Sequence, residues 1–238
     1  MFHRECDLIN RLPDKNKEIC MSETTPPQVR NTPPPTYPVT VPLVLSNSYG
    51  MRKIIVSMNV TLDGFMAGIN GELDWHFPLW NEEMSLYICH QLGKMDTILL
   101  GRRSYERMAR YWPVRTFTGV ELEYADLMNN HTKVVFSHTL ESADWQNTRL
   151  IKGNISEEVL KLKQSPGKDM IIYGSSSIVQ SFIRQGLIDE FQIWVHPVFI
   201  QHGVPMFRDM EEKVRLEFMR TRSFSSGVVI LYYKIIRN

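Results

Sequence analysis

No stretch of the chain approaches the ~20 consecutive apolar residues that a bilayer span needs, and its first residues carry no signal-peptide apolar region. Neither a membrane nor secretion is therefore expected, and the cytoplasm is the expected compartment. Cysteine is scarce, standing only at positions 6, 20 and 89. Without metal-ligand spacing, these offer neither a disulfide framework nor a metal site, and Cys89 reads as an apolar filler on a helix. Charge of one sign is missing too: 27 Lys and Arg face 26 Asp and Glu, for a net charge of +1. That balance leaves no electrostatic footprint for a nucleic-acid backbone or an anionic membrane. What the chain does have is an ordinary globular balance, 43% hydrophobic and 22% charged over 238 residues, enough for one sizeable core and something extra.

Glycine is almost missing before residue 51, and proline is concentrated there: of 13 of each, 8 prolines and the single glycine Gly50 lie in 1–50. Proline fixes φ and removes a backbone donor, so such a stretch neither ladders nor coils. Residues 1–50 are expected to form a disordered leader, whose Pro33-Pro34-Pro35 run is at most an extended ligand for a partner's aromatic groove. Met51 opens directly into Arg52-Lys53-Ile54-Ile55-Val56, and translation is expected to begin there, leaving a domain over 51–238.

From 51 onward short apolar strands alternate with helices. Strands are predicted over 53–60, 96–100, 133–137, 149–152 and 170–173, and helices over 79–92, 102–111, 156–163 (capped by Ser156) and 175–185. Such repetition argues for a largely parallel sheet covered on both faces. The chain's end differs: 190–198, 215–224 and 228–236 read as strands, the last two joined by the turn Ser225-Ser226-Gly227. The fold class is therefore α/β, with a mixed, mostly parallel sheet that finishes in an antiparallel hairpin. The GxGxxG fingerprint of plain dinucleotide folds is absent.

Two strand-to-helix junctions carry the chemistry. Gly101-Arg102-Arg103-Ser104 and Gly174-Ser175-Ser176-Ser177 each put glycine and small or cationic residues at a helix start, where unpaired N–H groups and partial positive charge suit a phosphate. Ser137-His138-Thr139 ends a third strand and offers two hydroxyls and an imidazole to the same anion. Asp63, in the glycine-bearing loop after the first strand, is the candidate for orienting substrate or relaying a proton; Asp74, Glu82 and His76 are alternatives. Trp75 and Trp80 can stack on a planar ring, and Arg110 and Arg115 flank Trp112-Pro113, where an anionic substrate is conceivable.

Val56-Ser57-Met58-Asn59-Val60-Thr61-Leu62-Asp63-Gly64, followed by Gly71-Glu72-Leu73-Asp74-Trp75, resembles the opening of dihydrofolate-reductase-like proteins related to the reductase domain of the bifunctional riboflavin-biosynthesis deaminase/reductase. Gly101-Arg102-Arg103-Ser104-Tyr105-Glu106 resembles that family's Gly-Arg-x-Thr-[Tyr/Trp]-Glu, Val134-Val135-Phe136-Ser137-His138-Thr139 its strand ending Ser-Arg-Thr, and the helix led by Gly174 its pyrophosphate helix. The resemblance implies a dihydrofolate-reductase-like three-layer sandwich that binds NADPH. The implied contacts are Gly101, Arg102, Arg103, Ser104, Ser137, His138, Thr139, Gly174, Ser175, Ser176, Ser177 and Ile178. It also implies a homodimer, and the last strand, 228–236, apolar on both alternating faces, is the surface expected at or near its interface, with Ile230 and Tyr232 as the residues to test. Trp75 and Tyr173 are the expected substrate contacts.

The departures from the family bear on substrate. His138 stands where arginine is usual, Tyr173 stands where the riboflavin-pathway reductases carry a substrate-contacting glutamate, and Trp80 stands near the place of the pterin-anchoring acid. The expected function is NADPH-dependent reduction of a small heterocyclic or imine-containing molecule. The alternatives are 5-amino-6-(5-phosphoribosylamino)uracil reductase activity and a non-catalytic nucleotide-binding protein.

Overall fold

The computed structural model describes residues 51–208 and 213–236; the leader expected over 1–50 lies outside the described residues. In chain order the elements are β1 (Ile54–Thr61), β2 (Phe65–Ala67), α1 (Glu82–Leu92), β3 (Met95–Gly101), α2 (Arg102–Ala109), α3 (Val120–Asn130), β4 (Thr132–Phe136) and β5 (Thr148–Ile151). They continue with α4 (Ile155–Gln164), β6 (Asp169–Ile172), α5 (Ser176–Arg184), β7 (Glu190–His196), β8 (Val204–Pro205), β9 (Leu216–Ser223) and β10 (Val229–Ile235). Eight strands form one sheet in the order β5-β4-β3-β6-β1-β7-β10-β9, while β2 and β8 make a separate two-stranded ribbon. The six strands from β5 to β7 run parallel, and β10 and β9 are added antiparallel.

Helices cover both faces. On one, Val159 of α4 and Val179 and Phe182 of α5 pack on Ile54, Val56, Leu99 and Ile172. On the other, Met84, Ile88 and Leu92 of α1, Tyr105 of α2 and Met128 of α3 pack on Ile55, Ile98, Leu100 and Ile171. The central strands β1, β3 and β6 are buried on both sides, which is why they read as nearly continuous apolar runs. At their amino-terminal ends charged side chains close the sheet: Arg52 pairs with Asp96, and Lys163 pairs with Asp189, whose carboxylate also accepts from Ile54 N at 2.8 Å. The carboxyl-terminal ends are left for other partners.

Several expectations are corrected. The first helix begins at Glu82, because Asn81 caps it by accepting from Met84 N, and Phe77–Leu79 forms a separate 3-10 turn. The cap of α4 is Asn154, which accepts from Ser156 N and Glu157 N, so Ser156 lies within the helix. Helix α3 was not anticipated. Its carboxyl terminus is held by Lys133, a fully buried amine that donates to Met128 O (3.2 Å) and Asn129 O (2.5 Å) and lies over the Trp145 ring. Burial pushes that amine down to about 8. The strand face of β10 bearing Ile230 and Tyr232 is buried, with Tyr232 bonded to Tyr87. The opposite face, Leu231 and Tyr233, is half open, and β9 rather than β10 is the sheet edge, every one of its residues being exposed.

Candidate active site

Strands β4, β3 and β6 lie side by side, so the three anticipated segments meet at one carboxyl-terminal edge. Helices α2 and α5 start directly from that edge, and neither receives a side-chain cap, whereas Asn81 and Asn154 cap α1 and α4. The first N–H groups of both helices are thus left without the usual partner and carry the positive end of the helix dipole. The junctions touch: Gly101 N donates to Gly174 O at 2.9 Å. A Cβ on Gly101 would stand 2.5 Å from Ser175 Oγ, and one on Gly174, whose φ is +111°, 2.7 Å from Ser104 Oγ. Only glycine permits this approach.

Around it stand the other expected residues. Arg102 Nη1 donates to Thr139 Oγ1 at 2.7 Å and its Nε to Glu106 Oε1 at 2.8 Å, tying α2 to the end of β4. Ser137 Oγ accepts from the amides of Thr139 (3.2 Å) and Leu140 (3.0 Å), which shapes the turn and leaves His138 exposed. Ser175 and Ser177 hydroxyls are 2.8 Å apart. Ser176 and Ile178 are buried, and Ile178 lies beneath Gly101, so both support the edge and do not face outward from it.

On the α1 side of the sheet an aromatic box adjoins this edge. Trp80 stacks between Trp194 and Tyr124, with centroids 5.8 and 6.3 Å away, and donates from Nε1 to Ser85 Oγ at 2.8 Å. The Tyr173 hydroxyl lies beside that of Tyr124 without a hydrogen bond of ordinary geometry, and desolvation pushes both phenols up. Trp75 meets His196 edge to face at 5.1 Å, and His76 lies 6.0 Å from His196. His196, fully buried, is held by Asn59 Oδ1 at 2.9 Å.

Burial, with His76 nearby, depresses His196 to about 4, and burial lowers His76 too. The folded protein thus refuses a proton that the unfolded chain accepts. The stabilisation is complete above the ordinary value of 6.5 and is lost as pH falls toward about 4. Between those limits the loss is expected to be roughly 2–3 kcal/mol. Urea titrations at either end of the window would measure it, and His196→Leu should flatten the slope; an unchanged slope would assign the effect elsewhere.

Asp63 proves to be a loop clamp. It accepts from Thr61 Oγ1 (2.5 Å) and from the amides of Ile200 (3.2 Å) and Gln201 (2.9 Å). The Thr61 hydroxyl and those amides hold its carboxyl below the ordinary range. An ionised, fully engaged carboxylate is poorly suited to relay a proton at neutral pH, so the anticipated relay gives way to positioning. Arg103, Arg107, Arg110 and Arg115 line a groove of about 770 Å³ with Asn70, Tyr111 and Glu106. None of the four arginines forms an ion pair within 4 Å among the described residues, although Arg107 acts electrostatically on the Glu72 carboxylate. Arg110 and Arg115 were anticipated; Arg103 was assigned to phosphate, and Arg107 was missed. Asn59 and His196 were also missed, although Asn59 interrupts β1 and His196 ends β7 with a polar side chain, a signal that was there to read.

The family model described as the RibD C-terminal domain matches residues 52–230. Uncharacterized protein YyaP of Bacillus subtilis (strain 168) is 41% identical over 189 residues, covering 79% of this chain and 98% of that protein. Among solved structures, a putative riboflavin biosynthesis protein from Shewanella sp. PV-4 is similar with a TM-score of 0.64 at 19% identity, over 78% of this chain and 99% of the other. Dihydrofolate reductase from Enterococcus faecalis, solved with NADP(H), gives 0.52 at 15% identity, over 77% and 96%.

Proposed function

The chain belongs to the RibD C-terminal domain family, and from that premise we propose that it is an NADPH-dependent reductase of a small, planar, anionic molecule. The observation that carries the reading is the pair of uncapped helix starts drawn together by Gly101 and Gly174, a cradle whose donors fit a pyrophosphate. Arg102, Arg103, Ser104, Ser175 and Ser177 would hold the phosphates, and Ser137, His138 and Thr139 the adenosine side. When bound, the nicotinamide supplies the hydride. The chain's own part is to stack the substrate ring in the aromatic box with Trp75 and Tyr173, to bind its anion through Arg107, Arg110 and Arg115 of the groove, and to fix the loop through Asp63. A second reading is favoured by that groove: arginines that outnumber its one lining carboxylate, Glu106, suit a phosphate, as carried by 5-amino-6-(5-phosphoribosylamino)uracil.

The test is NADPH oxidation across a panel of heterocycles that includes this compound, beside calorimetric titration of NADPH and NADH. Tight NADPH binding with no turnover on any member would favour a nucleotide-binding protein without catalysis. His138→Arg, which places a permanent planar cation beside Thr139, is expected to raise the preference for NADPH over NADH roughly tenfold. An unchanged ratio would remove this residue from the cofactor site.

We also propose a homodimer that uses the open face of the last strands. Phe218 is 56% exposed and packs on Tyr233 at 6.0 Å, beside the half-open Leu231. An edge of this kind is ordinarily paired or covered. Light scattering is expected to give twice the monomer mass, and Phe218→Glu or Leu231→Glu to halve it; a dimer indifferent to both would discard this surface.

A further inference from the structure

Four buried side-chain polar atoms among the described residues lack a hydrogen-bond partner: Trp75 Nε1, Tyr173 Oη, Gln192 Oε1 and His196 Nδ1. Buried orphans are rare, and each calls for an explanation. Three of the four belong to the aromatic box, and two sit on adjoining rings with opposite hydrogen-bonding character. An indole N–H can only donate. His196 Nε2 is engaged by Asn59 Oδ1, an acceptor, which puts the imidazole proton on Nε2 and leaves Nδ1 as a bare lone pair. The suppressed protonation of this ring keeps that lone pair available at neutral pH.

Strand register places the pair at the ligand end of the sheet. His196 stands opposite Thr61 on β1, two residues beyond Trp194, which stands opposite Asn59. Thr61 in turn holds Asp63, and the loop that Asp63 clamps leads toward Trp75. A donor and an acceptor are thus buried on adjoining rings whose centroids lie 5.1 Å apart. We propose that Trp75 Nε1 and His196 Nδ1 read one edge of the substrate's ring, a C=O next to an N–H, with Asn59 as the positioning residue that fixes the tautomer. This rests on the substrate reading above and names the edge by which the ring is held. A ring methylated at that nitrogen leaves the histidine lone pair buried and unpaired, so it is rejected.

The probes are 2-pyridone, whose ring carries this edge, and N-methyl-2-pyridone, which keeps the carbonyl and loses the N–H. With the full chain, ligand-observed NMR titration is expected to show 2-pyridone binding roughly tenfold more tightly. The nitrogen-15 resonance of His196 Nδ1 should move to its hydrogen-bonded position with 2-pyridone alone. In His196→Leu the discrimination disappears, and in Trp75→Phe, which keeps a ring and removes the donor, both probes weaken alike. Equal affinity of the two probes for the wild type, no binding of either, or an Nδ1 resonance that 2-pyridone leaves unmoved overturns the proposal, the orphans then being bridged by water. NADPH titrated into the same wild-type sample reports separately on the cofactor: probe discrimination without NADPH binding would remove the reductase and keep the edge reader.

Discussion

Replacing Arg102 and Arg103 together with alanine is expected to weaken NADPH binding by about 3–5 kcal/mol, since hydrogen bonds to charged groups contribute roughly 1.5–3 kcal/mol each. The fold should survive the change. Arg102 is half exposed and its pairing with Glu106 is a surface contact, worth below ~1 kcal/mol. Loss of affinity with an unchanged urea midpoint is therefore the signature sought by calorimetry. Unchanged affinity in the double variant would move the phosphates away from the start of α2.

Gly174→Ala should be more disruptive, at roughly 3–5 kcal/mol of stability, adding backbone strain at positive φ to overpacking. The added methyl would meet Ser104 Oγ at 2.7 Å, so the two helix starts must part and NADPH binding should be lost with the stability. Gly119→Ala is the control. Its φ is +60° with ψ −139° but a Cβ there meets nothing within 4 Å, so it should cost about 1–3 kcal/mol of backbone strain and leave NADPH affinity untouched. Thermal melts with and without NADPH separate the cases; a Gly174→Ala protein as stable as Gly119→Ala would contradict the contact.

Arg102, Arg103 and Gly174 were legible in the sequence alone. The edge segments are local: glycine, arginine and serine at strand-to-helix junctions announce their chemistry within a few residues, and the strands behind them are apolar on both faces. Helix α3 was illegible because only Ala125 and Met128 are buried along it, too few to mark a face. Strands β2 and β8 span three and two residues, and pairing rather than composition makes them strands. Caps misled where two candidates stood close, Asn154 and Ser156. The aromatic box was legible in part: Trp75, Trp80 and Tyr173 read as ring contacts, whereas Asn59, Tyr124 and His196 did not. Asn59, Trp75, Tyr124, Tyr173 and His196 come from five separate stretches of chain, and only the sheet order brings them together. The arginine groove likewise joins α2 to a loop more than thirty residues upstream.

The clamp at Asp63 reaches further than its own hydrogen bonds. Leu62 N donates to Val198 O at 3.0 Å and Met206 N to Gly64 O at 3.1 Å, while β2 pairs with β8. The segment carrying Trp75 and the segment after His196 are thereby stitched into one piece, which meets the edge of β3, β4 and β6 through Gln180 of α5, donating to Met206 O at 3.3 Å, and through the groove that Gly71 and Val204 share with Arg103. A change in one stitched segment is accordingly expected to need a matching change in the other. Transplanting residues 62–76 from a relative with a different substrate would strand the amides of Ile200 and Gln201; transplanting 62–76 and 198–206 as a matched set would carry the new preference across.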